Sequence, residues 1–358
     1  MLSRSIKKAS FLVALSALTA ATGCASGGLD LKLVQSTANK PSNVAVYFAV
    51  DRKDGTPVGG LQADDFVIYE DEAVVSKFES KQTILNPEVA AAHYTLLLVD
   101  MSGSVTDSGQ VPAVVEAAEV FARKLNESQK VAVYAFDGST ELFPVVRFTT
   151  SEGAAQGGLK ALERFRPRDP STNLHGAVVK GIELLESELS RATPPLRFGT
   201  LVVFTDGTDR AGRVSAEQMK KALEQTEFEV FAIGLGAEIS EKDLKKIGKS
   251  GTALAENKDE VVAAFAQVAQ KIDAHTKRFY LLSYCTPARA GEHEVRIEAH
   301  EKDQNGRSIR KGSLRYKFRA DGFTPDCDPN TPPKFDIHRG DAPSKPGRSN
   351  QVKASVSL

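Results

Sequence analysis

Apolar and polar positions change rhythm twice along the chain. Residues 43–80 read NVAVYFAV, then DRKDGTPVGG, then FVIYEDEAVVSKFES: short β-rich runs around a Gly/Pro turn, partly of period two, with no amphipathic helix of useful length. From Tyr94 strands and helices alternate. YTLLLV (94–99) precedes a helical stripe near 112–126, where Val114, Ala117, Ala118, Phe121 and Leu125 share one face. KVAVYAF (130–136) and ELFPVVRF (141–148) predict two further strands, and the proline confines the second to an edge or a bulge. Helices are predicted near 152–164 and 174–190, and FGTLVVF (198–204) is a continuous apolar run, as in a strand covered on both faces.

Further on, Ser215 and Gln218 form a capping box that starts a helix over 216–225, with Val214 and Met219 as its hydrophobic staple. EVFAIGLG (229–236) predicts a strand, and Ser240 with Asp243 a second box opening a short helix to Lys249. Val261, Val262, Phe265, Val268 and Ile272 mark a last helix over 259–274. RFYLLSY (278–284), EHEVRIEAH (292–300) and GSLRYKFRA (312–320) then return to strands with charges at alternate positions.

This order predicts an α/β fold over 90–275, an open, doubly wound, mostly parallel sheet with helices on both faces. The flanking β-rich stretches, 43–85 and 276–322, are each too short to bury a core alone. They are expected to pair into one small β-sandwich from which the α/β domain is inserted. Residues 24–42 are polar and are expected to form a tether. Residues 323–358, rich in Pro, Asp, Lys, Ser and Gly without periodicity, are expected to be a disordered tail.

The first residues change the picture of where the protein works. MLSRSIKKASFLVALSALTAATGCASGG has Arg4, Lys7 and Lys8, an apolar run from Ala9 to Ala21, and small residues before Cys24, the layout of an export signal over 1–23. The apolar run is short and interrupted by Ser and Thr, which favours a signal over a permanent spanning helix. ATGC resembles the lipobox of bacterial lipoproteins, with Ala21 in place of the usual Leu. That resemblance implies lipidation of Cys24, the alternative being ordinary secretion. Ala25 in place of Asp implies an outer-membrane or surface anchor.

Cleavage before Cys24 removes three basic residues and no acidic one, leaving 43 basic against 46 acidic. Such a chain has no positive field for nucleic acid. Cys285 and Cys327 remain in an oxidising compartment, either as a bridge between the last strands and the tail or as two unrelated thiols.

In an open parallel sheet, ligands gather outside the carboxyl ends of the strands. Three polar signals fall there: Asp100, Ser102 and Ser104 in DMSGS, Thr172 in DPSTNLHGAV, and Asp206 in VVFTDGTD. Hydroxyl and carboxylate oxygens suit a hard divalent cation, Mg²⁺ above all, with Mn²⁺ and Ca²⁺ accepting the same donors. The set, in this order, resembles the von Willebrand factor type A domain and its metal-ion-dependent adhesion site, over about 94–274. The resemblance implies that Ser102 and Ser104 bind the metal directly and Asp100 through water. Thr172 and Asp206 would bind directly or through water, depending on state. The stretch VDRKDGTPVGGLQADDFVIYEDEAVVSKFES and the strand FYLLSYCTP are similar to segments flanking the A domain in bacterial von Willebrand-related proteins. Glu72 stands where those have a turn glycine after Glu-Asp, which puts a tight hairpin there in question.

A cation so held keeps water in a remaining position, which a carboxylate from another protein or peptide can replace while nearby side chains choose the partner. Met101, Gly103, Pro170, His175, Thr208, Asp209 and Arg210 are expected to form that rim; Arg210 would either meet an acidic partner or stay a solvated loop charge. The expected function is binding, for adhesion or assembly, by a lipid-anchored extracytoplasmic protein that is not an enzyme. One alternative is an envelope or secretion scaffold with a merely stabilising metal; another is a metal-dependent hydrolase, for which no general base is evident. The six histidines have no metal-ligand spacing, so a zinc enzyme is not expected. IGKSGT lacks the first Gly of a Walker loop, GLGAEIS the last Gly of a dinucleotide fingerprint, and no Cys has a CxxC spacing. Oligomeric state is left open.

Overall fold

A computed structural model describes residues 28–85, 90–194, 196–236 and 238–335. The export signal, Cys24 and the tail from 336 lie outside the described residues.

The chain opens with β1 (Leu29–Asn39) and β2 (Asn43–Arg52), then β3 (Phe66–Glu70), β4 (Ala73–Val74) and β5 (Thr83–Leu85). The middle of the chain carries β6 (Ala91–Asp100), α1 (Gly103–Asp107), α2 (Val111–Lys124), β7 (Lys130–Phe136), β8 (Leu142–Thr150), α3 (Ser151–Gln156), α4 (Leu174–Ser190) and β9 (Leu196–Thr205). It continues with α5 (Ala216–Gln225), β10 (Glu229–Leu235), α6 (Glu241–Ile247), β11 (Gly251–Ala255) and α7 (Val261–Lys277). The chain then returns as β12 (Phe279–Cys285), β13 (Glu292–Lys302) and β14 (Ser308–Arg319).

The central sheet runs β11-β10-β9-β6-β7-β8, parallel throughout except for the β7–β8 pair. Strand alternation divides its side chains between two cores. Leu97, Val99, Val133 and Phe204 pack under α2 and α7, against Phe121, Phe265 and Val268. Leu96, Leu98, Leu201 and Val203 pack on the other side, against Val178, Ile182 and Leu185 of α4 and Met219 and Leu223 of α5. Burial on both faces explains the uninterrupted apolar runs, each such side chain contributing roughly 1.5–3 kcal/mol. Pro144 sits on edge strand β8 beside a register shift, where the missing N–H disturbs least.

Two four-stranded antiparallel sheets, β1-β2-β12-β5 and β14-β13-β3-β4, form a sandwich around Val46, Phe48, Phe66, Ile68, Leu282, Val295 and Ile297. Strands β5 and β12 are hydrogen-bonded neighbours, so the central domain leaves the sandwich and re-enters it at adjacent strands. The back of β2 is buried as well. Ala45 and Tyr47, with Leu281 of β12, meet Ala90, Ala91 and Leu196 of the α/β domain. Tyr47 stacks on Phe279 at 5.6 Å and on Phe198 at 6.1 Å, and His93 lies 4.8 Å from the Phe198 ring. Burial lowers the His93 ring to about 4, so it is a neutral member of this aromatic joint.

Several expectations need correction. Residues 29–39 are a strand, not a tether: Leu29 and Leu31 alternate into the sandwich core and the whole segment pairs with β2. The start of the presumed tail is also structured, with Phe323 and Phe335 buried. The helix expected over 152–164 is broken at Gly157 and Gly158, the latter at φ 91°, into α3 and a 3-10 turn over Leu159–Arg164. The short strand β11 had not been expected. Asp71 and Glu72 turn β3 into β4 with φ of 48° and 64°, so the tight hairpin forms without its glycine. Asp71 steadies the turn by accepting the Glu294 N–H at 3.0 Å. The Ser215 box is complete, whereas at Ser240 only the N-cap half exists.

Candidate functional site

Asp100 ends β6 and is fully buried. Its Oδ1 accepts the Ser102 N–H at 3.0 Å and its Oδ2 the Thr205 hydroxyl at 2.7 Å. The Gly103 N–H donates to the Pro170 carbonyl at 2.8 Å, closing the first loop onto the second. A Cβ at 103 would lie only 3.1 Å from Pro170 Cβ and 3.2 Å from its oxygen, so glycine permits that approach. The Ser102 and Ser104 hydroxyls are 3.2 Å apart, and Ser104 Oγ donates to Asp206 Oδ1 at 2.9 Å. Thr172 is buried, and its carbonyl accepts the N–H groups of Arg210 and Ala211 at 2.9 and 3.0 Å, tying the second loop to the third.

The structure therefore brings all five sequence-selected residues to one place. Asp100 and Ser102 lie beneath it. Ser104 and Thr172 line an open cleft of about 270 Å³, with Pro170, Ser171, Gly207, Arg210 and Glu238 around it.

The electrostatics of this place are unfavourable for two bare carboxylates. Burial pushes the Asp100 carboxyl up to about 7; the Thr205 hydrogen bond opposes the shift and the charge of Asp206 adds to it. Asp206 is also raised, by burial first, against the Ser104 hydrogen bond; Glu238 raises it further and Arg210 pulls it back. A positive charge among them would restore both ionised forms. Among the described residues no three His, Cys, Asp or Glu side chains cluster as metal ligands. The donors here are three hydroxyls and two carboxylates, all hard oxygens, which fit Mg²⁺, Mn²⁺ or Ca²⁺.

The rim differs from expectation. Met101 is wholly buried in the core under α2 and α7, because strand alternation carries it inward past Val99. Asp209 accepts the His175 N–H and the Gly212 N–H, each at 2.8 Å, and His175 Nδ1 lies 3.0 Å from the Val214 carbonyl. These two hold the start of α4 to the third loop. Pro170 and Arg210 do line the cleft, and Arg210 is paired, its Nη2 2.5 Å from Glu238 Oε2.

Sequence reasoning missed Thr205, Asp137 and Glu238. Thr205 stands next to Asp206 at the end of its strand, where alternation points it toward Asp100. Buried Asp137, in AFDGS, repeats the strand-then-Asp signature of Asp100; it accepts the Ser139 and Arg168 N–H groups at 2.8 and 2.7 Å, and its carbonyl accepts the Asn173 N–H. Asn173 in turn caps α4 by accepting the Gly176 N–H at 3.2 Å. Glu238 carried no signal, since only the fold sets the loop after β10 beside Gly207.

The family model of the von Willebrand factor type A domain matches residues 95–256. No curated protein matches the chain in sequence. A solved structure of a von Willebrand factor type A protein from Catenulispora acidiphila is 13% identical, with 83% of this chain and 74% of that one covered and a TM-score of 0.45. Proximal thread matrix protein 1 from the mussel byssus, solved with a zinc-occupied MIDAS motif, is 16% identical over 51% of this chain and 48% of its own, with a TM-score of 0.42. The manganese-loaded TRAP protein of Plasmodium vivax is 12% identical over 73% of this chain and 100% of its own, with a TM-score of 0.41. The family match coincides with the doubly wound sheet and the loops at its carboxyl edge: residues 95–256 are a von Willebrand factor type A domain.

Proposed function

We propose that this A domain holds a divalent cation, Mg²⁺ in the first place, and through it binds a carboxylate of a partner protein or peptide. Ser102 and Ser104 would hold the ion directly, Asp100 through water, and Thr172 and Asp206 directly or through water. The observation that carries this reading is the Ser104–Asp206 hydrogen bond, which joins loops 102 residues apart on the cleft that Thr172 also lines. A hard cation keeps water readily, and replacing that water by an outside oxygen puts charge attraction at the centre of a contact. Binding is favoured over catalysis because the carboxylates at the cleft are already engaged: Asp100 by Ser102 and Thr205, Asp206 by Ser104, Glu238 by Arg210.

The protein would act in a bacterial envelope, anchored through a lipid on Cys24, with the outer membrane as the favoured site. The Cys285–Cys327 disulfide supports an oxidising compartment. Titration calorimetry with MgCl₂ tests the cation: the native protein should bind one ion and Asp206→Ala should bind none while keeping its circular dichroism. A pulldown from the organism's envelope with and without EDTA tests the partner. No cation binding, or capture indifferent to EDTA, would refute the corresponding half. Cys24→Ser should move the protein from the membrane to the soluble fraction.

A further inference from the structure

Glu238 stands out because it is an exposed carboxylate on the wall of the cation cleft that belongs to none of the three edge loops. It comes from the segment after β10 and lines the cleft together with Ser104, Thr172 and Gly207. Its Oε2 lies 3.7 Å from where a Cβ on Gly207 would be, an ordinary contact distance, one residue from Asp206. What holds it is Arg210, at 2.5 Å. The two side chains are 62% and 61% exposed, so neither is locked by packing. The backbone of Arg210 is fixed by its N–H to the Thr172 carbonyl at 2.9 Å, which sets the guanidinium at the mouth of the cleft.

The geometry points to Glu238 as an internal carboxylate that competes with a partner for the cation, and to Arg210 as the positioning residue that holds it off. This rests on the cation site proposed above and adds its regulation. The chemical type that the partner offers, a side-chain carboxylate, is already present on the wall of the site. Arg210 keeps it paired and leaves the ion to the outside ligand. A partner bearing a second acidic group would draw Arg210 to itself and thereby release its own competitor, so the site favours partners that present one isolated carboxylate.

Mg²⁺ alone is the probe, and its affinity the readout. Arg210→Gln should tighten Mg²⁺ binding by roughly two- to fivefold, the range over which an exposed ion pair restrains its members. Glu238→Gln should abolish that gain, so that Arg210→Gln/Glu238→Gln binds Mg²⁺ like Glu238→Gln alone. Both positions are exposed, and unchanged melting temperatures would show that the variants fold. If Arg210→Gln has the same effect in both backgrounds, Arg210 acts as a plain charge and the inference is wrong; it is equally wrong if Arg210→Gln has no effect. A native protein that does not bind Mg²⁺ at all would refute the cation reading, and this inference with it.

Discussion

Thr205 donates its hydroxyl hydrogen to Asp100 at 2.7 Å, joining the ends of adjacent strands β9 and β6 beneath the cleft lined by Ser104 and Thr172. Both residues are wholly buried, so Asp100 Oδ2 cannot exchange this donor for water. Thr205→Val keeps the shape and removes the donor, and should destabilise the protein by about 1–3 kcal/mol, with Thr205→Ser much milder. Urea unfolding in EDTA measures this; equal midpoints for Val and Thr would show that the contact carries no stability.

Asp100 also makes the stability of the metal-free protein depend on pH. Its carboxyl rises from 3.8 to about 7 on folding, so between those values the folded state binds more protons than the unfolded one. The stabilising contribution is whole below about pH 4 and is lost as pH rises toward about 7. Asp206 shifts in the same direction. In EDTA the melting temperature should therefore be lower at about pH 8 than at about pH 5.5, and Mg²⁺ should raise it more at the higher pH, where its ligands are ionised. Melting curves at both values with and without Mg²⁺ decide it; a larger Mg²⁺ effect at the lower pH would contradict the assignment.

The central sheet was legible because strands such as LVVF and LLLV are buried on both faces, and the three polar loops because fold order places strand ends together. Strand β1 was not, since only Leu29 and Leu31 of its eleven residues are fully buried and the rest read as polar linker. In β11 only Ala253 and Ala255 are buried, too little for a periodic signal. Glu238 and Thr205 matter through tertiary neighbours that no spacing reveals. The hairpin at Glu72 shows the reverse case: the missing glycine argued against a turn that cross-strand contacts nevertheless hold, among them Glu72 to Arg315 at 2.7 Å.

Where α7 hands over to β12, Arg278 and Asp51 form a buried pair, with Nη1 3.0 Å from both carboxylate oxygens. Arg278 is 7% and Asp51 2% exposed, and Arg278 Nε has no acceptor among the described residues. Asp51→Ala would leave the guanidinium buried with still less compensation, at about 3–5 kcal/mol. Because the pair lies at the joint between sandwich and A domain, the loss should appear in the unfolding of both. Urea curves followed by tyrosine fluorescence and by circular dichroism should shift together; a shift in one probe alone would mean that the joint does not couple the two parts.

The described end of the chain is fastened across the sandwich by several contacts, of which the disulfide is the strongest. Cys327 is bonded to Cys285 of β12 over a separation of 42 residues, Lys81 Nζ donates to the Cys327 carbonyl at 3.0 Å, and Thr37 Oγ1 to the Lys334 carbonyl at 2.9 Å. These bring Phe335 into the cluster formed by Tyr47, Leu281 and Ala91, where sandwich and A domain meet. Closing a loop of 42 residues is worth about 4 kcal/mol through the entropy of the unfolded chain. Cys327→Ser, or reduction with dithiothreitol, should therefore lower stability by roughly that amount, and Phe335→Ala should add little once the bridge is gone, since the segment carrying it is then free to detach. Denaturation of the native protein, Cys327→Ser, Phe335→Ala and the double variant under oxidising and reducing conditions tests this, and a full Phe335→Ala penalty in the reduced protein would show that the segment stays docked without its disulfide.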